Sequence, residues 1–120
     1  MPKERRYVKR RKFTYYMRVL DSNTQQLIGY LADISPKGFQ LDSPQQMLVN
    51  KDYNIRLDLT PDISDKNFIS FIARCRWNKP DETDPFAFDA GFQVVSISPH
   101  DDEIFQRMVT KYGSQSDGFW

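Results

Sequence analysis

The chain has 120 residues, of which 39% are hydrophobic and 28% charged, and a net charge of +1. That length supports one core rather than two, and the composition is that of a soluble globular domain. No apolar run approaches the roughly 18 residues that cross a bilayer, no apolar segment follows the basic start to make a secretory leader, and one His with one Cys builds neither a standard zinc site nor a disulfide. The expectation is a single cytoplasmic domain, without membrane insertion or metal.

The charge is unevenly placed. Residues 1–12 carry seven basic side chains (Lys3, Arg5, Arg6, Lys9, Arg10, Arg11 and Lys12) against Glu4, while the rest of the chain has ten basic and fifteen acidic residues. With few apolar anchors and much self-repulsion, 1–12 reads as a flexible basic arm that seeks a polyanion: phosphates, nucleic acid, an anionic membrane or the acidic body itself. From Phe13 the pattern alternates, with Phe13, Tyr15, Met17 and Val19 on one face and Thr14, Tyr16, Arg18 and Leu20 on the other, which predicts a strand. Asp21-Ser22-Asn23-Thr24 is a polar turn, and 26–34 supplies the return strand. Ser35-Pro36-Lys37-Gly38 has Pro second and Gly fourth, a favoured β-turn, and a third strand follows through Phe39-Gln40-Leu41.

Tyr53, Ile55, Leu57 and Leu59 alternate with polar neighbours to make a fourth strand. The run from Phe68 to Trp77 predicts a fifth, with Ile69, Phe71, Ala73, Cys75 and Trp77 on one side and Arg74 and Arg76 outward. After the loop 78–85 a sixth strand runs from about Phe86 to Ile97. Ser98 then fits a helix cap, Pro99 the first helical position, and Asp101, Asp102 and Glu103 the positive end of the dipole. Ile104 and Met108, with Val109 or Tyr112, recur at helical spacing and Gly113 fits a stop, so the sequence predicts an amphipathic helix over about 99–112 that seals an open end or side of the sheet. Residues 114–120 are left as a tail. The pattern is that of a mainly β protein, a small antiparallel barrel or sandwich with a C-terminal helix.

Two short motifs give the chain a functional reading. The arm contains Arg6-Tyr7-Val8-Lys9-Arg10, an R-x-x-x-R string, and the first hairpin leads into Asp33-Ile34-Ser35-Pro36-Lys37-Gly38, a D-x-S-x-x-G string. In this order, with one strand hairpin between them, the two motifs resemble those of the PilZ domain family, and the likeness covers nearly the whole chain. The resemblance implies a six-stranded antiparallel β-barrel over 13–113 with a terminal helix, and a non-catalytic bacterial receptor for the second messenger cyclic di-GMP. It assigns Arg6 and Arg10 to the ligand's phosphates and guanines, and Asp33, Ser35 and Gly38 to one guanine. Trp77 matches a position where many members place a large residue beside the bound bases. In the family, an additional Arg directly before R-x-x-x-R goes with binding of two intercalated ligand molecules, and Arg5 occupies that place.

The chemistry suits these assignments. An arginine fork matches phosphate or guanine O6/N7 and its plane stacks on a base, while a carboxylate accepts from the guanine N1–H and N2–H₂ together. Read without the resemblance, Asp33, Ser35 and Gly38 would make a capped turn, and Trp77 would continue the apolar face of its strand. The competing function is a small-barrel binder of single-stranded nucleic acid, which the aromatic content and the basic arm suit; the net acidic body opposes it. No glycine-rich phosphate loop or nucleophile–base set points to an enzyme. The expected partners are cyclic di-GMP and an effector protein that the sequence does not identify, with the chain itself a monomer that takes no cofactor.

Overall fold

The alternation of apolar and polar side chains is realised as six antiparallel strands. A computed structural model describes residues 17–113. Strands β1 (Arg18–Asp21), β2 (Leu27–Ser35), β3 (Gly38–Ser43), β4 (Asp52–Asp58), β5 (Phe68–Pro80) and β6 (Phe88–Ile97) close into a barrel of order β1-β2-β3-β6-β5-β4, followed by helix α1 (Pro99–Tyr112). The predicted arm, the first part of the predicted strand (Phe13 to Tyr16) and the tail lie outside the described residues.

Each strand sends one side inward. Val19, Leu31, Ile34, Phe39, Leu41, Ile55, Leu57, Ile69, Ala73 and Phe92 are all buried in a single core. Its aromatic centre joins four elements: Phe39 stacks on Phe92 at 5.1 Å between ring centroids, Phe71 meets Phe39 edge-on at 5.8 Å, and Phe105 of α1 meets Phe71 at 5.7 Å. These offset and T-shaped pairs add to the gain from burial.

The helix begins as its sequence predicts. The Ser98 hydroxyl accepts from the Asp101 N–H at 3.3 Å, Pro99 follows the cap, and Asp101 and Asp102 lie in the first turn. The helix closes one end of the barrel with Ile104, Phe105 and Met108. Phe105 completes the apolar stripe beside Ile104 and Met108, one position off the i, i+4 spacing that joins those two. Gln106 Nε2 donates to the Pro36 carbonyl at 2.9 Å, tying α1 to the β2–β3 turn. Gly113 ends the helix in extended backbone (φ −81°), so it is not a left-handed cap; a Cβ there would lie 2.5 Å from the Val109 carbonyl oxygen.

Three sequence expectations shift. Strand β5 runs on to Pro80 because Asn78 and Lys79 pair with Ala90 and Asp89, although their polar side chains do not prolong the apolar pattern. Strand β6 begins at Phe88 rather than Phe86, whose side chain is 82% exposed in the preceding turn. Trp77 does not continue the inner face of β5. The register shifts between Cys75 and Trp77, so that Cys75 opposes Phe92 while Trp77 opposes Gly91. Cys75 and Phe92 are buried in the core, so the extra residue, Arg76, turns Trp77 to the outside.

Replacing Phe105 by Ala removes the aromatic plug of the barrel end and is expected to cost about 3–5 kcal/mol, read by urea unfolding. A second prediction concerns acid. Asp62 accepts from Lys111 Nζ at 2.7 Å, from the Thr60 hydroxyl and from the Tyr112 hydroxyl at 2.5 Å, pinning the last helical turn to the β4–β5 loop. The Lys111 ammonium above all, then the two hydroxyls, hold its carboxyl well below the usual carboxylate range. A depressed folded-state pKa means that this contribution is present above the ordinary carboxylate pKa of about 4 and is lost as pH falls below it. Asp62→Asn is therefore expected to lower stability at neutral pH and to flatten its decline on acidification, as measured by thermal melts across the acid range.

Candidate ligand-binding site on the outer barrel wall

The β2–β3 hairpin turns through Pro36 and Lys37, with Ser35 paired to Gly38. Within it the Asp33 carboxylate accepts from the Ile34 N–H at 2.8 Å, and the Ser35 hydroxyl donates to the Gly38 carbonyl at 3.4 Å. Ser35 is fully buried and Asp33 is 9% exposed. Both side chains thus take part in the turn itself. Gly38 does not adopt a positive φ, so backbone handedness does not call for a glycine there.

Asp33 faces outward for the same reason as Trp77. In β2 the register shifts between Leu31 and Asp33: Leu31 opposes Leu41 and Asp33 opposes Gln40. Leu31 and Leu41 point into the core, and an unbroken pleat would send Asp33 after them. The extra residue, Ala32, reverses the alternation, and Ile34 returns inward opposite Phe39.

The two bulges bring distant parts of the sequence into one line. Asp33 on β2, Gln40 on β3, Gly91 on β6 and Trp77 on β5 are successive cross-strand partners on the outer wall. Three strand spacings separate the ends of this row, about 14 Å. On the helix side of it run Ser35, Gly38, Gln93 and Arg74; on the other side run Tyr30, Asp42, Asp89 and Lys79. Asp33 and Trp77 thus both belong to the outer wall of the barrel.

Trp77 lies flat on that wall. A Cβ built on Gly91 would sit 2.2 Å from the indole Nε1 and 2.5 Å from Cε2, so the ring covers the glycine directly. Lys79 Nζ is 5.6 Å from the ring centroid. An isolated glycine inside a strand signals a bulge or a close approach, and Gly91 was legible in that sense. Arg76 donates to Gln93 Oε1 at 2.7 Å, which places a guanidinium beside the Gly38 row.

The residues that the sequence singles out for the site fall into two groups. Asp33, Ser35, Gly38 and Trp77 are described and share one wall, whereas Arg5, Arg6 and Arg10 lie outside the described residues. The described chain begins beside this wall: the Met17 carbonyl accepts from the Leu31 N–H at 2.9 Å, two positions from Asp33. Asp42, Asp81 and Asp89 also come together, their carboxylate oxygens within 4.8 Å of one another. Asp81 Oδ1 accepts from the Thr83 N–H and hydroxyl and from the Asp84 N–H. These carboxylates are far apart in sequence, and no spacing argument joins them.

The family model described as the PilZ domain matches residues 4–111. The chain belongs to the PilZ domain family. Among solved structures it is similar to the PilZ domain of YcgR from Escherichia coli, described with c-di-GMP, at 13% sequence identity and a TM-score of 0.56 over 81% of this chain and 80% of that one. At that identity the likeness is one of fold, and it agrees with the closed six-stranded barrel and terminal helix. A search of curated proteins finds no match. No helix among the described residues is long and apolar enough to cross a membrane.

Gly91→Ala places a methyl group where the indole lies. It is expected to lift Trp77 from the wall and to cost about 1–3 kcal/mol. In a Trp120→Phe background, where Trp77 alone reports, its emission should shift to longer wavelength. Adding Trp77→Ala should recover part of the lost stability, giving a non-additive pair in urea unfolding.

Proposed function

We propose that this PilZ domain is a non-catalytic receptor for cyclic di-GMP that passes the signal to a partner protein. The observation that carries the reading is the shared wall: Asp33 and Trp77, 44 positions apart in sequence, end on one cross-strand row, with Ser35 and Gly38 on the adjacent row, in a barrel whose family model also takes in the R-x-x-x-R segment. The YcgR domain, with its bound c-di-GMP, supports the choice of ligand.

In this mechanism Asp33 reads the guanine edge by accepting from N1–H and N2–H₂. The Ser35–Gly38 pair shapes the turn so that the ligand can approach the backbone, and the Trp77 indole offers an apolar plane at the far end of the row. Arg6 and Arg10 supply planar cations to phosphates and bases, and Arg5 adds a third that favours an intercalated pair of ligands. Because Met17 joins the barrel next to Leu31, residues 1–12 need only a short path to reach Asp33. Neutralising their charge on the ligand's phosphates orders the arm over the wall, and the new surface is what an effector protein recognises. The binding module acts as a cytoplasmic monomer in this reading, taking no cofactor and performing no catalysis.

Isothermal titration with cyclic di-GMP tests the proposal. Micromolar or tighter binding is expected, at two ligands per chain, falling toward one in Arg5→Leu. Arg6→Ala and Arg10→Ala are each expected to weaken binding ten-fold or more, about 1.5–3 kcal/mol for a lost charge-assisted contact. Asp33→Ala should erode the preference for cyclic di-GMP over cyclic di-AMP. No heat at high ligand concentration, or tighter binding of single-stranded oligonucleotide than of cyclic di-GMP, would overturn the receptor reading in favour of a nucleic-acid binder or neither.

A further inference from the structure

The bulge that turns Trp77 outward also leaves Arg76 exposed on the wall. Five arginines lie among the described residues, and four of them are matched to carboxylates: Arg18 and Arg56 to Asp58, Arg74 to Asp52, and Arg107 to Glu103. Arg76 is different. Its NH1 donates to the amide oxygen of Gln93 at 2.7 Å, and among the described residues no carboxylate forms an ion pair with it. An amide orients a guanidinium without neutralising it, and most of the donor fork is left for another acceptor.

The position is as specific as the pairing. Gln93 is the cross-strand partner of Gly38, and Arg76 directly precedes Trp77. A charged, tethered fork therefore stands between the glycine of D-x-S-x-x-G and the indole that covers Gly91. The neighbouring Arg74, by contrast, is held by both carboxylate oxygens of Asp52, at 2.7 and 3.3 Å. Among the described residues the wall thus carries one oriented guanidinium with an unneutralised charge, at the β5 end of the row, away from Asp33.

We infer that Arg76 is a ligand-binding residue: it takes a phosphate of the nucleotide whose base lies on Trp77, and Gln93 is its positioning residue. This rests on the receptor reading above and extends it, since the phosphates are then gripped from the barrel as well as from the arm. The bulge serves two ends in one step, turning the indole outward and presenting the cation beside it.

Titration of cyclic di-GMP into the full chain at low and high salt tests this, with Arg76→Ala, Arg76→Lys, Gln93→Leu and, for comparison, Arg10→Ala. Arg76→Ala is expected to weaken binding about ten-fold at low salt, with a smaller deficit at high salt where the phosphate contact is screened. Arg76→Lys should restore only part of the affinity, because an ammonium lacks the planar fork. Gln93→Leu should show a smaller loss than Arg76→Ala, and in the Arg76→Ala background no further loss. Melting temperatures should stay close to wild type, since the side chain is exposed. Wild-type affinity in Arg76→Ala alongside weakened binding in Arg10→Ala would overturn this inference and leave the receptor reading standing. Absence of binding by the wild type would overturn both.

Discussion

A closed barrel imposes strict alternation, inner residue then outer residue, and this wall exists because two strands break it. Leu31 and Cys75 both point into the core, so residues two positions further along should follow them. One extra residue in each strand, Ala32 in β2 and Arg76 in β5, reverses the parity and delivers Asp33 and Trp77 to the outer face. Without either bulge, a carboxylate or an indole would have to enter a core already filled by Phe39, Phe71 and Phe92. The cost of a buried, unpaired carboxylate makes the first alternative prohibitive.

The core and the wall are therefore two sides of the same strands. Ile34, Phe39 and Phe92 point inward, while their chain neighbours Asp33, Gln40 and Gly91 form the outer row. Stacking of Phe39 on Phe92 fixes β3 against β6 from within, which fixes the spacing of Gln40 and Gly91 outside. The helix braces β5 through Phe105 against Phe71, and the β2–β3 turn through the hydrogen bond from Gln106 to Pro36. An outer wall built in this way inherits its rigidity from packing and needs little ordering of its own described residues.

Much of the fold was legible in the sequence because period-two alternation and helix-capping residues are local signals. The strand from Tyr53, the turn at Pro36 and the helix start at Ser98 follow from neighbours alone. The fate of Trp77 does not. A bulge is a relation between two strands, and the sequence of β5 reads as an uninterrupted apolar alternation through Cys75 to Trp77. Nor does local spacing reveal that Asn78 and Lys79 keep pairing, or that Phe105 joins Ile104 and Met108 in filling the barrel end. Of the site, the Asp33–Gly38 string stood out at once, whereas the roles of Gln40, Gly91, Arg76 and Gln93 depend on register. The acidic corner of Asp42, Asp81 and Asp89 joins three separate segments and had no linear signature.

One atom spans the β5 bulge. The Cys75 thiol is buried, burial pushes its pKa up, and its Sγ lies 3.4 Å from the Trp77 carbonyl oxygen on the other side of Arg76. A protonated thiol sealed in this way is a poor nucleophile. It reacts only when the strand opens at this point, and it is the single cysteine of the chain. The rate at which a thiol reagent modifies the native protein is thus a clock for opening of β5 at the bulge. Whatever docks against Trp77 from outside will slow that clock from the opposite face of the same strand.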